Sequence, residues 1–464
     1  MAAAIYTKVF PEKHRTMATP PKLIQSLGLL DATMIVAGGM IGSGIFIVSA
    51  DIARQVNSPG LLMVTWIVTA ILTLIAALSY GELAAAMPQA GGQYVYLREA
   101  FGRMPAFLFG WTFFVVIQTG TIAAVAVAFA KFAAVFFPFV TGRTQQLVGI
   151  AVILLLSWVN TRGVRTGAIV QNIFTIAKVA ALLALVALGL ALGRNETAVQ
   201  ANFGNFWANA DWTWAVVSIT GVAMVGSLFS SDSWNNITFL AGEMKNARRD
   251  LPLSLVLGVG AVSILYLLAN FVYLSVLPLA AIQTAAQDRV GTAVVQSFLG
   301  VNAEKWMAAA IMISTFGCVN GLILAGSRVY YAMANDGLFF KACGKLDPKS
   351  QTPVFSIAVQ ALWACGLTLT GRYGDLLDYV IFAVLLFYIL TIWGIFVLRR
   401  KRPDMERPYK AFGYPVLPFL YIVFAGLIEI LLLLYKPNYT WPGLIIVLLG
   451  IPVYFVWKKN EVTA

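Results

Sequence analysis

The chain has 464 residues, of which 60% are hydrophobic and 11% charged, and it carries a net charge of +12. A soluble protein carries roughly a quarter charged residues, so there is too little charge to coat a water-facing globule. The basic residues sit in short connections between apolar blocks instead of on one face, which excludes nucleic acid as a partner and leaves the lipid bilayer.

The first 22 residues are polar and mixed, with no apolar core of the signal-peptide kind. Residues 1–26 read as a cytoplasmic tail. Twelve apolar spans follow, at 27–49, 60–86, 104–136, 146–159, 167–193, 212–241, 252–277, 303–334, 353–371, 376–398, 414–435 and 441–457. About 20 apolar residues suffice to cross the hydrocarbon. The fold class is therefore an all-α polytopic membrane protein. An even count places both termini on one side, and Lys and Arg mark the cytoplasmic one. The connections on the side of the termini include Arg98, Arg162, Arg165, Lys245, Arg248, Arg249, Lys349 and the Arg399–Arg402 run. They hold more than twice the basic residues of the opposite set, which includes Arg54, Arg143, Arg194, Arg289 and Lys436. Both termini are expected in the cytoplasm, and the membrane is expected to be the plasma (cytoplasmic) membrane.

Span one contains Gly38-Gly39-Met40-Ile41-Gly42-Ser43-Gly44. Each glycine costs about 1 kcal/mol in a helix interior relative to alanine. Close packing explains Gly38 and Gly42 on one face, but not Gly39 and Gly44 on others, so the helix is expected to unwind here. Gly91 to Phe101, between spans two and three, reads as a short amphipathic helix on the cytoplasmic side. Lys178 lies in the middle of span five, about 16 Å inside its start at 1.5 Å per residue, too deep to snorkel easily. Span six is interrupted by Gly226-Ser227-Leu228-Phe229-Ser230-Ser231-Asp232-Ser233-Trp234-Asn235-Asn236. A carboxylate at that depth must face a cavity or a partner. Asp232 could attract a basic side chain, carry a proton or pair with a donor. Standing just before the expected second half-helix, it is read first as that helix's cap.

Spans one and six open the two halves, 27–193 and 212–398, with 414–457 holding spans eleven and twelve. Paired interruptions at corresponding places mark a transporter built from inverted repeats, with its site at the midplane. A half-helix N-terminus favours a carboxylate and a half-helix C-terminus a cation, and a zwitterionic amino acid fits both. An open channel would need a continuous polar path, yet spans other than one, five, six and eight are almost wholly apolar. An enzyme would need a nucleophile–base or paired-carboxylate set that the spans lack. The single histidine, His14, and the three cysteines, Cys318, Cys343 and Cys365, have no metal-site spacing, so neither metal nor cofactor is expected.

At these residues the chain resembles the amino acid–polyamine–organocation superfamily and, within it, the L-type amino acid transporters. The likeness runs through Ile35 to Phe46, Tyr80-Gly81-Glu82-Leu83, Met87-Pro88, Gly91-Gly92-Gln93-Tyr94, Trp234-Asn235, Gly242-Glu243-Met244-Lys245-Asn246, Arg249-Asp250-Leu251-Pro252, Phe316 to Gly321 and Ser327-Arg328. The resemblance implies a 5+5 inverted repeat with broken helices one and six. It also implies sodium-independent amino acid transport, often as obligatory exchange. The amides of Ser43 and Gly44, beside Gly42, would hold the substrate carboxylate. Carbonyls near Met40 and Ile41, and from Phe229 through Ser230 and Ser231 to Asp232, would hold its amine. Phe229 matches the gating aromatic, and Lys178 the lysine that stands where sodium-driven relatives bind their ion. L-type light chains carry a cysteine after span three, whereas Phe136 to Arg143 has none. No disulfide-linked heavy chain is expected, which suggests a prokaryotic member. Neutral amino acids are the first choice of substrate. The alternative is a proton-coupled symporter or exchanger of basic amino acids.

Overall fold

The structure, a computed structural model, describes residues 23–211, 213–300, 302–370 and 373–462, and the side chains of 373–379, 439 and 459–462 are not among those described. Most of the predicted N-terminal tail, with Lys8, Lys13, His14, Arg15 and Lys22, lies outside these residues, as does Arg372.

Each of the twelve expected spans falls on helix. Nine helices are long and apolar enough to cross a membrane among the described residues: Leu29–Val56, Pro59–Ala86, Arg103–Ala133, Val164–Leu192, Ala247–Val276, Ala303–Asn335, Val380–Lys401, Val416–Tyr435 and Thr440–Lys458. Spans four, six and nine are the shorter Arg143–Asn160, Trp214–Ser230 and Val354–Thr370. No β-strand occurs among the described residues, only an isolated parallel bridge between Leu27 and Met244.

Side-chain periodicity sorts each helix into a lipid face and a core face. On span five, Ile169, Ile173, Ile176 and Leu183 are exposed, whereas Gln171, Thr175, Lys178 and Leu182 are fully buried. The second set recurs every three to four residues, so a single stripe of the helix carries all the buried polar groups. Inside the bundle, span two packs along span seven and span three along span eight. Span one lies against spans five, seven and eight, and span six against spans two and ten. A π-turn at Phe113–Ile117 widens span three where the Phe113 ring meets Phe239 of span six, 5.2 Å between centroids.

The helix predicted between spans two and three is present as Gln93–Phe101, and it is sunk into the bundle. Tyr94, Val95, Tyr96, Leu97 and Ala100 are all buried, packed against spans three, eight and ten. Its entry explains the depth. Gly92 adopts φ +43°, and a Cβ there would strike Thr238 of span six, so only glycine lets the backbones approach this closely.

Candidate functional site

Span one is broken where the glycine run predicts. Its first half, Leu29–Met40, ends at Ile41 in extended geometry (φ −75°, ψ 92°), and the second half restarts at Gly44. Span six breaks beside it. Its first half stops at Ser230, Ser233 sits at φ +67°, and a short turn, Asn236–Phe239, resumes the helix. The two breaks touch. A Cβ on Gly39 would lie 3.0 Å from the Ser233 carbonyl oxygen, and one on Gly44 would collide with Ser230. Gly38 has another role. Its Cβ would strike Gln171 and Thr175 of span five, so unwinding and close packing both operate within one motif.

Unwinding exposes backbone carbonyls that lipid cannot satisfy, and neighbouring spans supply the donors. Lys178 is fully buried and is the central residue of the 29-residue helix Val164–Leu192, about 21 Å from either end. Snorkelling is excluded. Its Nζ donates to the carbonyls of Gly38 at 2.6 Å, Ile41 at 2.7 Å and Ser314 at 3.2 Å. The Ser314 hydroxyl donates to the Ile41 and Gly42 carbonyls at 3.0 and 3.1 Å, and the Cys318 thiol lies 3.3 Å from that of Gly39. The negative end of the first half-helix thus faces an ammonium. The second half presents the opposite end. Ser43 is its N-cap and Gly44 its first residue, and at a helix start the first amides have no intrahelical acceptor.

Tyr266 of span seven joins the two interruptions. Its hydroxyl lies 2.9 Å from the Met40 carbonyl oxygen and 3.1 Å from that of Ser230. Sequence reasoning missed it, although a tyrosine inside an apolar span is itself a signal. Tyr388 of span ten was missed likewise. Its hydroxyl donates to Asp232 Oδ1 at 2.7 Å, and its ring packs with Tyr80 and Trp234. The expected cap is therefore corrected. The turn beginning at Asn236 has no side-chain cap, and Asp232 faces span ten. Two cavities adjoin this carboxylate, one walled by spans three, six and ten, the other by spans two, six, ten and eleven. Phe229 is partly buried against the core beside the break.

The remaining motif residues anchor the breaks at one end of the bundle. Arg328 and Glu243 form a fully buried bidentate pair, with both N–H···O distances 2.9 Å. Glu82 accepts from Arg399 Nε at 3.0 Å and from the Ala411 amide at 2.7 Å. Asp31 accepts from Arg165 and Asn172 at 3.0 and 2.7 Å. Backbone bonds tie Leu27 to the segment after span six, from its own amide to Glu243 and from the Lys245 amide back to it.

Comparison with known proteins agrees with this architecture. The profile of the family described as amino acid permease matches residues 27–456. The chain is 30% identical over 460 residues to b(0,+)-type amino acid transporter 1 of Mus musculus, covering 96% of this chain and 92% of that protein. It is 31% identical over 447 residues to the Homo sapiens protein of the same name, covering 94% and 88%. Large neutral amino acids transporter small subunit 2 of Mus musculus is 31% identical over 444 residues, covering 94% of this chain and 81% of that protein.

Proposed function

The chain belongs to the amino acid permease family of transporters, within the amino acid–polyamine–organocation superfamily, and from that premise we propose that it is an L-type member moving neutral L-amino acids by sodium-independent exchange or facilitation. The observation that carries the proposal is the Lys178 ammonium, bound by carbonyls of the broken first span. It fills with a fixed charge the place where a coupled cation would otherwise sit.

The substrate's carboxylate is assigned to the helix start at Gly42, Ser43 and Gly44, and its amine to the facing carbonyls. Ile41 is the weakest of these, because its oxygen already accepts from both Lys178 and Ser314 and a carbonyl has two lone pairs. Met40 and Ser230 share the single proton of the Tyr266 hydroxyl and between them keep lone pairs to spare, which leaves them, with Phe229, Ser231 and Asp232, for the amine. Phe229 is the gating aromatic. The matched neighbours of spans one and six support division into repeats at 27–193 and 212–398, with 414–457 appended. A disulfide-linked heavy chain is not expected, since the connection after span three carries no cysteine. A prokaryotic source fits that reading.

The test is uptake of a panel of radiolabelled amino acids into proteoliposomes, with and without internal substrate. Trans-stimulated uptake of small or medium neutral amino acids supports the proposal, and linear flux without saturation would refute it. The second reading, proton-coupled transport of basic amino acids, rests on the buried Asp232. Strong competition by arginine at neutral pH, lost in Asp232→Asn, would favour it.

The excess of loop Lys and Arg on one side supports a cytoplasmic position for both termini. In a chain stripped of its native thiols, an impermeant maleimide should label Arg194→Cys but not Lys410→Cys in whole cells. The reverse pattern would invert the topology.

A further inference from the structure

Two open cavities lie away from the broken spans, on the outer wall between spans four and nine. One, of about 860 Å³, is almost wholly apolar and is lined by Leu154, Trp158, Ile357, Ala358, Ala361 and Leu362 among others. A second, of about 810 Å³, is polar and holds Arg162, Asp347, Lys349 and Ser350. They share Trp158, Thr161 and Val354, so they form one groove with an apolar body and a charged mouth.

We propose that this groove binds one anionic phospholipid, its acyl chain between spans four and nine and its phosphate on Arg162 and Lys349.

Dimensions favour a lipid over a partner's transmembrane helix. The lining runs from Ile150 to Thr161 on span four and from Val354 to Cys365 on span nine. Each wall is eleven residue steps, about 16 Å at 1.5 Å per residue. That is close to half of a hydrocarbon core roughly 30 Å thick. The groove therefore spans a single leaflet, the reach of one acyl chain, whereas a crossing helix needs a face through both. The body opens to the hydrocarbon, since Leu154, Trp158 and Leu362 are exposed.

Charge at the mouth selects the headgroup. The Arg162 guanidinium stacks on the Trp158 ring, 4.5 Å from its centroid, which fixes one cation at the groove's end with its N–H donors available to a phosphate. Asp347 does not cancel the site. Its carboxylate accepts from the Lys349 and Ser350 amides at 3.1 and 2.8 Å and from the Ser350 hydroxyl at 2.9 Å. These bonds turn it into its own loop, and the two cations outnumber it. A zwitterionic headgroup gains less there, because its own ammonium meets the same two cations.

The test is native mass spectrometry of the full chain in detergent, titrated with dioleoyl phosphatidylglycerol or dioleoyl phosphatidylcholine. The first phosphatidylglycerol should bind more tightly than the first phosphatidylcholine. Removing both cations, in Arg162→Ala with Lys349→Ala, should weaken it roughly thirtyfold, because each basic residue contributes about a fivefold preference for an anionic lipid. Ala358→Trp, which fills the body from the exposed side, should weaken it independently of the headgroup. Equal affinity for the two lipids would overturn the proposal, as would phosphatidylglycerol binding unchanged in both variants. A stoichiometric second polypeptide that co-purifies and blocks lipid uptake would assign the groove to a partner helix and overturn it equally.

Discussion

Lys178 is buried and donates to the carbonyl oxygens of Gly38, Ile41 and Ser314, and the dipole of the first half-helix supplies the compensating partial charge. Lys178→Met keeps the packing volume and removes the charge. It orphans carbonyls of span one at about 1–3 kcal/mol, so initial uptake should fall by at least about fivefold while the protein still inserts. Wild-type kinetics in this variant would show that the ammonium is dispensable. The glycines separate along the motif. A Cβ on Gly38 meets Gln171 and Thr175, which are already bonded to Asn320 and the Met34 carbonyl. Gly38→Ala should therefore lower stability by about 1–3 kcal/mol as an overpacked site. Gly42→Ala, whose Cβ finds only the Cys318 sulfur at 3.7 Å, should melt like the parent. Thermal unfolding in detergent compares them, and equal melting would remove the packing role of Gly38.

Each broken helix is held from outside itself, and this governs which elements were legible in the sequence. Four glycines within seven residues, and small polar residues through a span, announce the breaks because both are costly in a lipid-facing helix. Tyr266 and Tyr388 were not announced, since a lone tyrosine in an apolar span shows that it needs a partner without showing which one. The Gln93–Phe101 helix was legible as an element, but the partners of its polar Gln93 and Arg98 were not. In the fold Gln93 accepts from Asn235 at 3.0 Å and Arg98 pairs with Asp336. Glu243 and Arg328 give the sharpest test at this scale. Removing one partner leaves a buried charge unpaired, at about 3–5 kcal/mol, whereas replacing both with apolar groups is often near neutral. Glu243→Leu should melt well below the parent, and Glu243→Leu with Arg328→Met should recover most of the loss. A double variant no more stable than the single one would mean that the pair is needed for its geometry as well as its charge balance.

Across the whole molecule, spans one and six carry the irregular backbone while spans five, seven, eight and ten carry the side chains that satisfy it. Alternating access follows if the two broken spans move against these partners, trading some of these contacts between states. The class of membrane protein and the positions of the interruptions were readable from composition and glycine spacing. The pairing of polar groups across spans was not, because apolar stretches of equal length say nothing about their neighbours. The central claim is that Lys178 stands in for a coupled cation, and the direct measurement is initial uptake of a neutral amino acid into proteoliposomes with external sodium replaced by choline. Uptake should be unchanged, because a second cation beside the Lys178 ammonium would meet like-charge repulsion in a low-dielectric site. A clear loss of uptake in choline would contradict the account.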